Sequence, residues 1–347
     1  MRPAQVTQIL GREFTSAAAG QHTPVMLWGP PGIGKSDLVR EVAERHAVPV
    51  VDLRLSQLEP TDLRGIPFRT DGLVEWAVPA LLPDAERHGT AGILFLDEIN
   101  AAPPTVSAAA YQLILDRRLG EYRVPEGWAI FAAGNRQGDR GVVYSMPSPL
   151  ANRFTHLEVE PNLDDWVDWA HGRGVDPRLI GFLRFRPDLL FDFDPAQTPT
   201  AFPSPRTWEF SDRALAKFGD DRALLSAALQ GCVGPAAGIE AAAYIEHLDR
   251  LPDIDAIANG TCDEVPEGID LQYAVAAALV RRALQAREAG DPLPVYGHLL
   301  AYAGKLPQRE LGVMLVADLY RAVGQPLCEA PQFATWAGQV ADVMLSE

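Results

Sequence analysis

Eight consecutive residues, Gly29-Pro30-Pro31-Gly32-Ile33-Gly34-Lys35-Ser36, constrain this chain more than any other stretch of it. They match the pattern of glycine, four residues, glycine, lysine and serine without a gap. A short apolar run precedes them, Pro24 to Trp28 (PVMLW). Behind them, Ser36 to His46 carries Leu38, Val39 and Val42 at helical spacing. Strand, glycine-rich turn and helix in that order form a phosphate cradle. The glycines let backbone N–H groups turn inward, and the helix N-terminus adds partial positive charge. Lys35 is then placed to reach the β- and γ-phosphates, and the Ser36 hydroxyl to coordinate Mg²⁺. The expected ligands are ATP and Mg²⁺.

The surrounding sequence supplies a frame for such a loop. Val48 to Leu53, Gly92 to Leu96, Trp128 to Ala133 and Thr155 to Val159 are further apolar strands, with helical stretches between them such as Thr105 to Arg117. Continuous apolar strands alternating with helices predict a parallel five-stranded sheet covered on both faces. Two segments interrupt the alternation. Phe68 to Val78 holds an Asp71-Gly72 turn between extended flanks, which predicts a hairpin. Leu119 to Val124 leads into the fourth strand and is a second candidate hairpin. Beyond about residue 160 the strand signal fades. Asn162 caps a helix running to His171, and Thr198 to Pro205 is a proline-rich linker. Helices are expected over Arg206 to Phe218, Asp221 to Gln230 and Pro235 to Asp249. After a polar break from Leu251 to Gly268, Leu271, Val275 and Leu279 form one helical stripe, and Phe333, Trp336, Val340 and Met344 another. The expected organisation is an α/β nucleotide-binding domain over 1–160, a helical lid over 161–250 and a helical extension over 251–347.

At the end of the third strand, Ile93-Leu94-Phe95-Leu96-Asp97-Glu98 places two carboxylates after a core strand. Taken alone, the pair fits two solvated acids equally well. Beside a phosphate loop, Asp97 would hold Mg²⁺ through water and Glu98 would orient the attacking water.

Composition closes off other classes. Net charge is −16, so the surface as a whole repels a phosphate backbone, and nucleic acid is not the expected partner. Cys232, Cys262 and Cys328 are far apart and form no CxxC pair, and no HExxH occurs, so neither a zinc site nor a disulfide framework is expected. No apolar run is long enough to span a membrane. The N-terminus lacks a signal-peptide core, which makes the cytoplasm the expected location.

Five motifs in order, GPPGIGKS, LFLDEIN, AAGNRQGD, SPLANRF and SPRTW, resemble AAA+ ATPases, and LSQLEPTDLRGIP (Leu55 to Pro67) followed by a hairpin resembles the MoxR family within them. The resemblance covers roughly residues 5 to 250. It implies an AAA+ fold with a helical lid and carries three further roles. Asn135 matches the residue that positions water between Glu98 and the γ-phosphate. Arg153 matches the arginine finger that reaches the nucleotide of a neighbouring subunit, with Arg136 and Arg140 as nearby competitors. Arg206 matches the lid arginine that contacts the nucleotide. The two hairpins match inserts that face a pore or a partner. Trp76 and Tyr122 are there either as contact residues or as aromatics that hold the hairpins together.

The resemblance implies a ring, a hexamer, that hydrolyses ATP to remodel a protein. Members commonly work with a von Willebrand factor A-domain protein, often in metal insertion or enzyme activation. A nucleic-acid motor is the alternative, disfavoured by the acidic charge. A low-turnover nucleotide-gated scaffold fits less well because Lys35, Asp97, Glu98, Asn135 and Arg153 are all present, and a small-molecule kinase, which would use the same loop, because of the Asp97-Glu98 pair, the sensor motifs and the extra helical lid.

Overall fold

A computed structural model describes residues 1–136, 139, 144–196, 200–247, 251–290 and 292–344, with side chains to 339. The chain falls into two compact units, Met1–Pro161 and Asn162–Glu347.

In the first unit the strands are β1 (Val25–Trp28), β2 (Val50–Arg54), β3 (Ile66–Thr70), β4 (Leu73–Ala77), β5 (Ala91–Asp97), β6 (Arg118–Leu119), β7 (Tyr122–Arg123), β8 (Gly127–Gly134) and β9 (Thr155–Glu158). Five of them form one parallel sheet in the order β2-β5-β8-β1-β9. The helices are α1 (Pro3–Ala17), α2 (Lys35–His46), α3 (Pro60–Arg64), α4 (Ala85–His88), α5 (Pro104–Asp116) and α6 (Ser148–Ala151). Successive strand residues enter opposite cores. Val25, Leu27, Ile93, Phe95 and Phe131 pack with Leu10, Val39 and Val42 on one face. Met26, Leu94, Leu96 and Ile130 pack with Val106, Ala110 and Leu113 on the other. Burial on both faces is why these strands are apolar throughout rather than alternating.

The interruptions are antiparallel hairpins, β3–β4 and β6–β7. The β3–β4 turn sets Asp71 and Gly72 at φ 50° and 84°. Two successive positive φ values give the turn whose twist suits a two-residue hairpin loop.

The second unit contains α7 (Leu163–Arg173), α8 (Pro177–Phe185), α9 (Pro205–Phe218), α10 (Arg222–Val233), α11 (Pro235–His247), α12 (Ile254–Ala258), α13 (Ile269–Ala289), α14 (Leu293–Ala303), α15 (Arg309–Val323) and α16 (Gln332–Met344). Among its described residues there is no strand. The Asn162 side chain accepts the Asp165 N–H at 3.0 Å and caps α7. One core gathers Leu179, Phe182, Trp208 and Leu229, and another Leu279, Leu299, Leu315 and Trp336. Helix α13 serves both, giving Ala274 and Ala277 to the first and Val275 and Leu279 to the second. The residues expected as lid and as extension thus share one compact unit. The linker residues Thr198 and Pro199, Asp249 at the end of the expected third helix, and the side chains of Val340 and Met344 lie outside the described residues.

Candidate functional site

Parallel pairing brings the ends of β1, β5 and β8 to the same edge of the sheet. The register Trp28↔Gly134 sets Gly29 level with Asn135, and Arg54↔Asp97 sets the acidic pair beside the end of β2. In open α/β sheets ligands bind at this carboxyl edge, where successive crossovers diverge. Here the chain leaves β1 through α2 and returns to β2 at the far side of the sheet, passing over β8 and β5.

The loop turns through Gly32 and Gly34, at φ 79° and 98°, a region closed to most side chains. Gly34 caps α2, so Lys35 and Ser36 begin that helix. The Lys35 ammonium folds back into the loop. It donates to the carbonyls of Gly29 and Pro30 at 2.7 and 3.0 Å and to Oδ1 of Asn135 at 3.0 Å. Ser36 Oγ donates to Asp97 Oδ2 at 3.1 Å. Lys35, Ser36, Asp97 and Asn135 are therefore brought together at one sheet edge, from three different strand ends.

Asp97 is 8% exposed. Burial pushes its carboxyl above the usual carboxylate range. Hydrogen bonds from the Glu98 N–H and Ser36 pull it back, while the charges of Asp52 and Glu98 add to the rise. Two hard oxygen donors, one of them a desolvated carboxylate without a neutralising cation among these influences, suit Mg²⁺.

Glu98 has φ 54°, an uncommon conformation for a residue with a side chain. Its carboxylate turns sideways. Ser56 Oγ donates to Oε2, and Arg54 Nε stands 4.0 Å from Oε1. Neither partner was assigned a role from sequence. Ser56 lies in the stretch LSQLEPTDLRGIP that suggested the family, and Arg54 ends β2. A third residue that sequence left unassigned is Asn100, which is buried at 6% exposure. Its Nδ2 donates to the Asn135 carbonyl at 2.7 Å and its own carbonyl accepts the Tyr144 N–H at 2.7 Å. A Cβ on Gly134 would lie 2.4 Å from Asn100 Oδ1, so glycine there is what lets Asn100 approach and fix the Asn135 backbone.

The arginines separate. The Arg136 guanidinium is tied within the chain, to Glu158 at 3.7 Å and to the Val159 carbonyl at 3.4 Å. Arg153 is exposed, between buried Leu150 and Phe154, and its guanidinium makes no ion pair or hydrogen bond among the described residues. Gln137, Gly138 and the competitor Arg140 lie outside the described residues. Arg206 belongs to the second unit, exposed in the first turn of α9 behind a Ser204–Thr207 capping box. The hairpin aromatics also divide. Tyr122 is buried and donates to the Pro83 carbonyl at 2.7 Å, so it holds its hairpin. Trp76 is exposed, as are Ile66, Phe68, Leu73, Val74 and Val78 around it. Among the described residues no group of three or more His, Cys, Asp and Glu side chains is arranged to hold a metal, and no helix is long and apolar enough to cross a membrane.

The sequence of residues 24–154 matches the AAA domain of the dynein-related subfamily. Midasin from Giardia intestinalis is 29% identical over 154 residues, which is 42% of this chain and 3% of midasin. Protein NorQ from Paracoccus denitrificans is 28% identical over 152 residues, 42% of this chain and 55% of NorQ. The match thus spans little more than half of one relative and a small fraction of the other. Among solved structures, an ATPase of Cytophaga hutchinsonii aligns over 90% of this chain and 88% of its own, at 14% identity and a TM-score of 0.36. NtrX from Brucella abortus in complex with ADP aligns over 83% and 65%, at 17% identity and a TM-score of 0.40.

Proposed function

The chain carries the AAA domain of a MoxR-type AAA+ ATPase, and from that premise we propose that it works as a ring, a hexamer, in which Mg²⁺-dependent ATP hydrolysis remodels or activates a protein partner in the cytoplasm. The observation that carries the proposal is the linked cluster of Lys35, Ser36, Asp97 and Asn135 at the carboxyl edge of the sheet. In it Gly29, Pro30, Pro31, Gly32, Ile33 and Gly34 wrap the phosphates, and Lys35 exchanges its carbonyl partners for β- and γ-phosphate oxygens. Ser36 and Asp97 hold Mg²⁺, which when bound neutralises charge on the phosphate oxygens. Glu98 polarises the attacking water and Asn135 holds that water in line. Arg153, whose guanidinium makes no ion pair or hydrogen bond among the described residues, steadies developing charge at a neighbour's nucleotide. Arg206 reads the nucleotide from the second unit.

Exposed apolar side chains concentrated on β3–β4 support a protein as the partner. Ile66 and Leu73 are 67% and 68% exposed, and exposed apolar side chains gathered on one small hairpin favour an interaction site. Ser56 lies between β2 and this hairpin, so a load on the hairpin has a short path to the carboxylate it holds. A von Willebrand factor A-domain protein is the partner class the family suggests, with metal insertion as the task.

The test is an ATPase assay on the full chain with and without Mg²⁺, paired with Lys35→Ala. Loss of Lys35 should weaken ATP binding by at least about a hundredfold. Equal nucleotide affinity in Lys35→Ala, or turnover indifferent to Mg²⁺, would overturn the assignment.

A further inference from the structure

One polar linkage on β9 belongs neither to the sheet ladder nor to the nucleotide cluster. Trp28 ends β1, one residue before Gly29. Its indole N–H donates to Nδ1 of His156 at 2.8 Å. An indole nitrogen can only donate, so Nδ1 must be the unprotonated nitrogen and Nε2 carries the proton. Nε2 lies 2.8 Å from the Ala151 carbonyl and donates to it. The two rings are stacked, 12° from parallel with centroids 6.0 Å apart, and Phe154 meets the imidazole edge-on at 6.1 Å.

Both ends of this bridge matter. Ala151 closes α6, and the turn that follows, with Asn152 N–H bonded to Ser148 and Arg153 N–H to Leu150, is what presents Arg153. At the other end Trp28 accepts the Val159 N–H through its carbonyl at 2.8 Å, and the phosphate loop starts at the next residue. His156 itself is exposed. Water could satisfy both of its nitrogens, so fold stability alone does not call for a doubly committed imidazole at this place.

We propose that His156 is a positioning residue that ties the start of the phosphate loop to the turn carrying Arg153, so that nucleotide in one subunit sets the aim of the arginine it offers to the next. The proposal rests on Arg153 acting at a neighbouring subunit. Each subunit would then report its own occupancy across the boundary through three groups: the Trp28 indole, the His156 imidazole and the Ala151 carbonyl.

The experiment is steady-state ATPase kinetics and nucleotide affinity of the full-length protein for His156→Ala, Trp28→Phe and Arg153→Ala, singly and combined. His156→Ala and Trp28→Phe should each lower kcat about fivefold while leaving nucleotide affinity within about twofold, because only the aim of the arginine is lost. The double variant should be no slower than the slower single, since both cut one linkage. In an Arg153→Ala background, His156→Ala should have no further effect. If Arg153→Ala is impaired and His156→Ala adds its own independent loss or none at all to the wild type, the linkage is overturned while the trans arginine stands. If Arg153→Ala turns over ATP at the wild-type rate, the trans arginine is overturned and the linkage falls with it. Should His156→Ala fail to fold, Trp28→Phe, which keeps an aromatic ring at that place but removes the indole N–H donor, carries the same comparison.

Discussion

Each unit of this protein buries charge, and the two do it in opposite ways. In the first unit Asp97 is held by a hydroxyl and a backbone N–H, and the neighbouring charges that bear on it, Asp52 and Glu98, have its own sign. In the second unit Asp318, on α15, is met by two guanidiniums. Arg184 from α8 reaches its oxygens at 2.6 and 2.8 Å, and Arg321 from the same helix donates to it as well. Arg184 also donates to Asp164 of α7 at 2.7 Å, and Arg321 stands 3.2 Å from Asp168. The first cluster is open and gains from a cation. The second is closed, its charges answered from three helices of the same unit. Burial of a carboxylate is therefore no sign of a ligand site by itself. What its partners leave unanswered decides.

The largest effect on stability should come from breaking the closed cluster. Arg184 and Asp318 are 8% and 6% exposed at the side chain. Arg184→Met should destabilise the second unit by about 3–5 kcal/mol, because Asp318 loses its main counter-charge in a place water barely reaches. Adding Asp318→Leu should recover much of that loss, since removing both charges of a buried pair costs far less than removing one. Urea unfolding of the full chain, followed through each unit, measures both. A cost in Arg184→Met below about 1 kcal/mol would mean that the cluster is not closed in solution.

Sequence reveals these two clusters unequally, for a physical reason. The open cluster is built from residues close to glycines and strand ends, where spacing along the chain fixes geometry. A phosphate loop has to be continuous, and Asp97 and Glu98 have to follow an apolar strand, so both could be read directly. Asn100 could not. It stands three residues beyond Asp97 in a stretch already singled out, yet its role depends on reaching Asn135 across the sheet. Ser56 was hidden likewise, since its partner Glu98 is 42 residues away. Arg184 and Asp318 are 134 residues apart on helices that look like any amphipathic pair. Helix α1 is legible along the chain, since Val6, Leu10, Phe14 and Ala17 repeat at helical spacing and are buried, with Pro3 opening the helix and Gly20, at φ 68°, lying just beyond its end. The division of the helical half at residue 250 followed a polar break in composition, whereas packing follows α13, whose two faces enter two cores.

A smaller effect of opposite sign should follow from neutralising the open cluster. Asp97→Asn removes a desolvated carboxylate that burial holds above its ordinary range. For an acid whose folded-state pKa is raised, ionisation costs the folded form. Stability is greatest below the unfolded pKa and falls as pH rises through the folded one. At neutral pH, Asp97→Asn should therefore stabilise the nucleotide-free protein, by about 1 kcal/mol, while abolishing Mg²⁺-dependent turnover. Thermal unfolding with and without Mg²⁺-ATP measures it. A variant less stable than the wild type without nucleotide would show that Asp97 is already neutralised, and the contrast with Asp318 would collapse.

Acid provides the finest comparison, because each unit also buries a neutral histidine. In the second unit His171 is held down to about 4 by burial first and then by Arg184 and Arg321. In the first, His22 is held down to about 4 by burial and then by Arg117, with its Nε2 accepting the Ile130 N–H at 2.7 Å. A base whose folded pKa is depressed contributes stability that is complete above its unfolded value, 6.5 for both groups, and is lost as pH falls toward about 4. Around His171 that loss is partly offset, since Asp168 and Asp318 are pushed up by burial and favour the folded form as they protonate. No such acid stands beside His22, whose neighbour Glu13 lies 3.8 Å away at the rim, and in the first unit Asp97 is the one described acid that burial pushes up, against Asp168, Asp212 and Asp318 in the second, so the offset is smaller there. The first unit should therefore lose stability sooner on acidification, by roughly 1 kcal/mol at about pH 5.5, and His22→Gln should flatten its pH dependence more than His171→Gln flattens that of the second. Unfolding monitored separately in the two units between pH 7 and 4.5 tests the order. If the helical unit yields first, its acids do not offset His171, and the closed cluster is the more fragile of the two in acid.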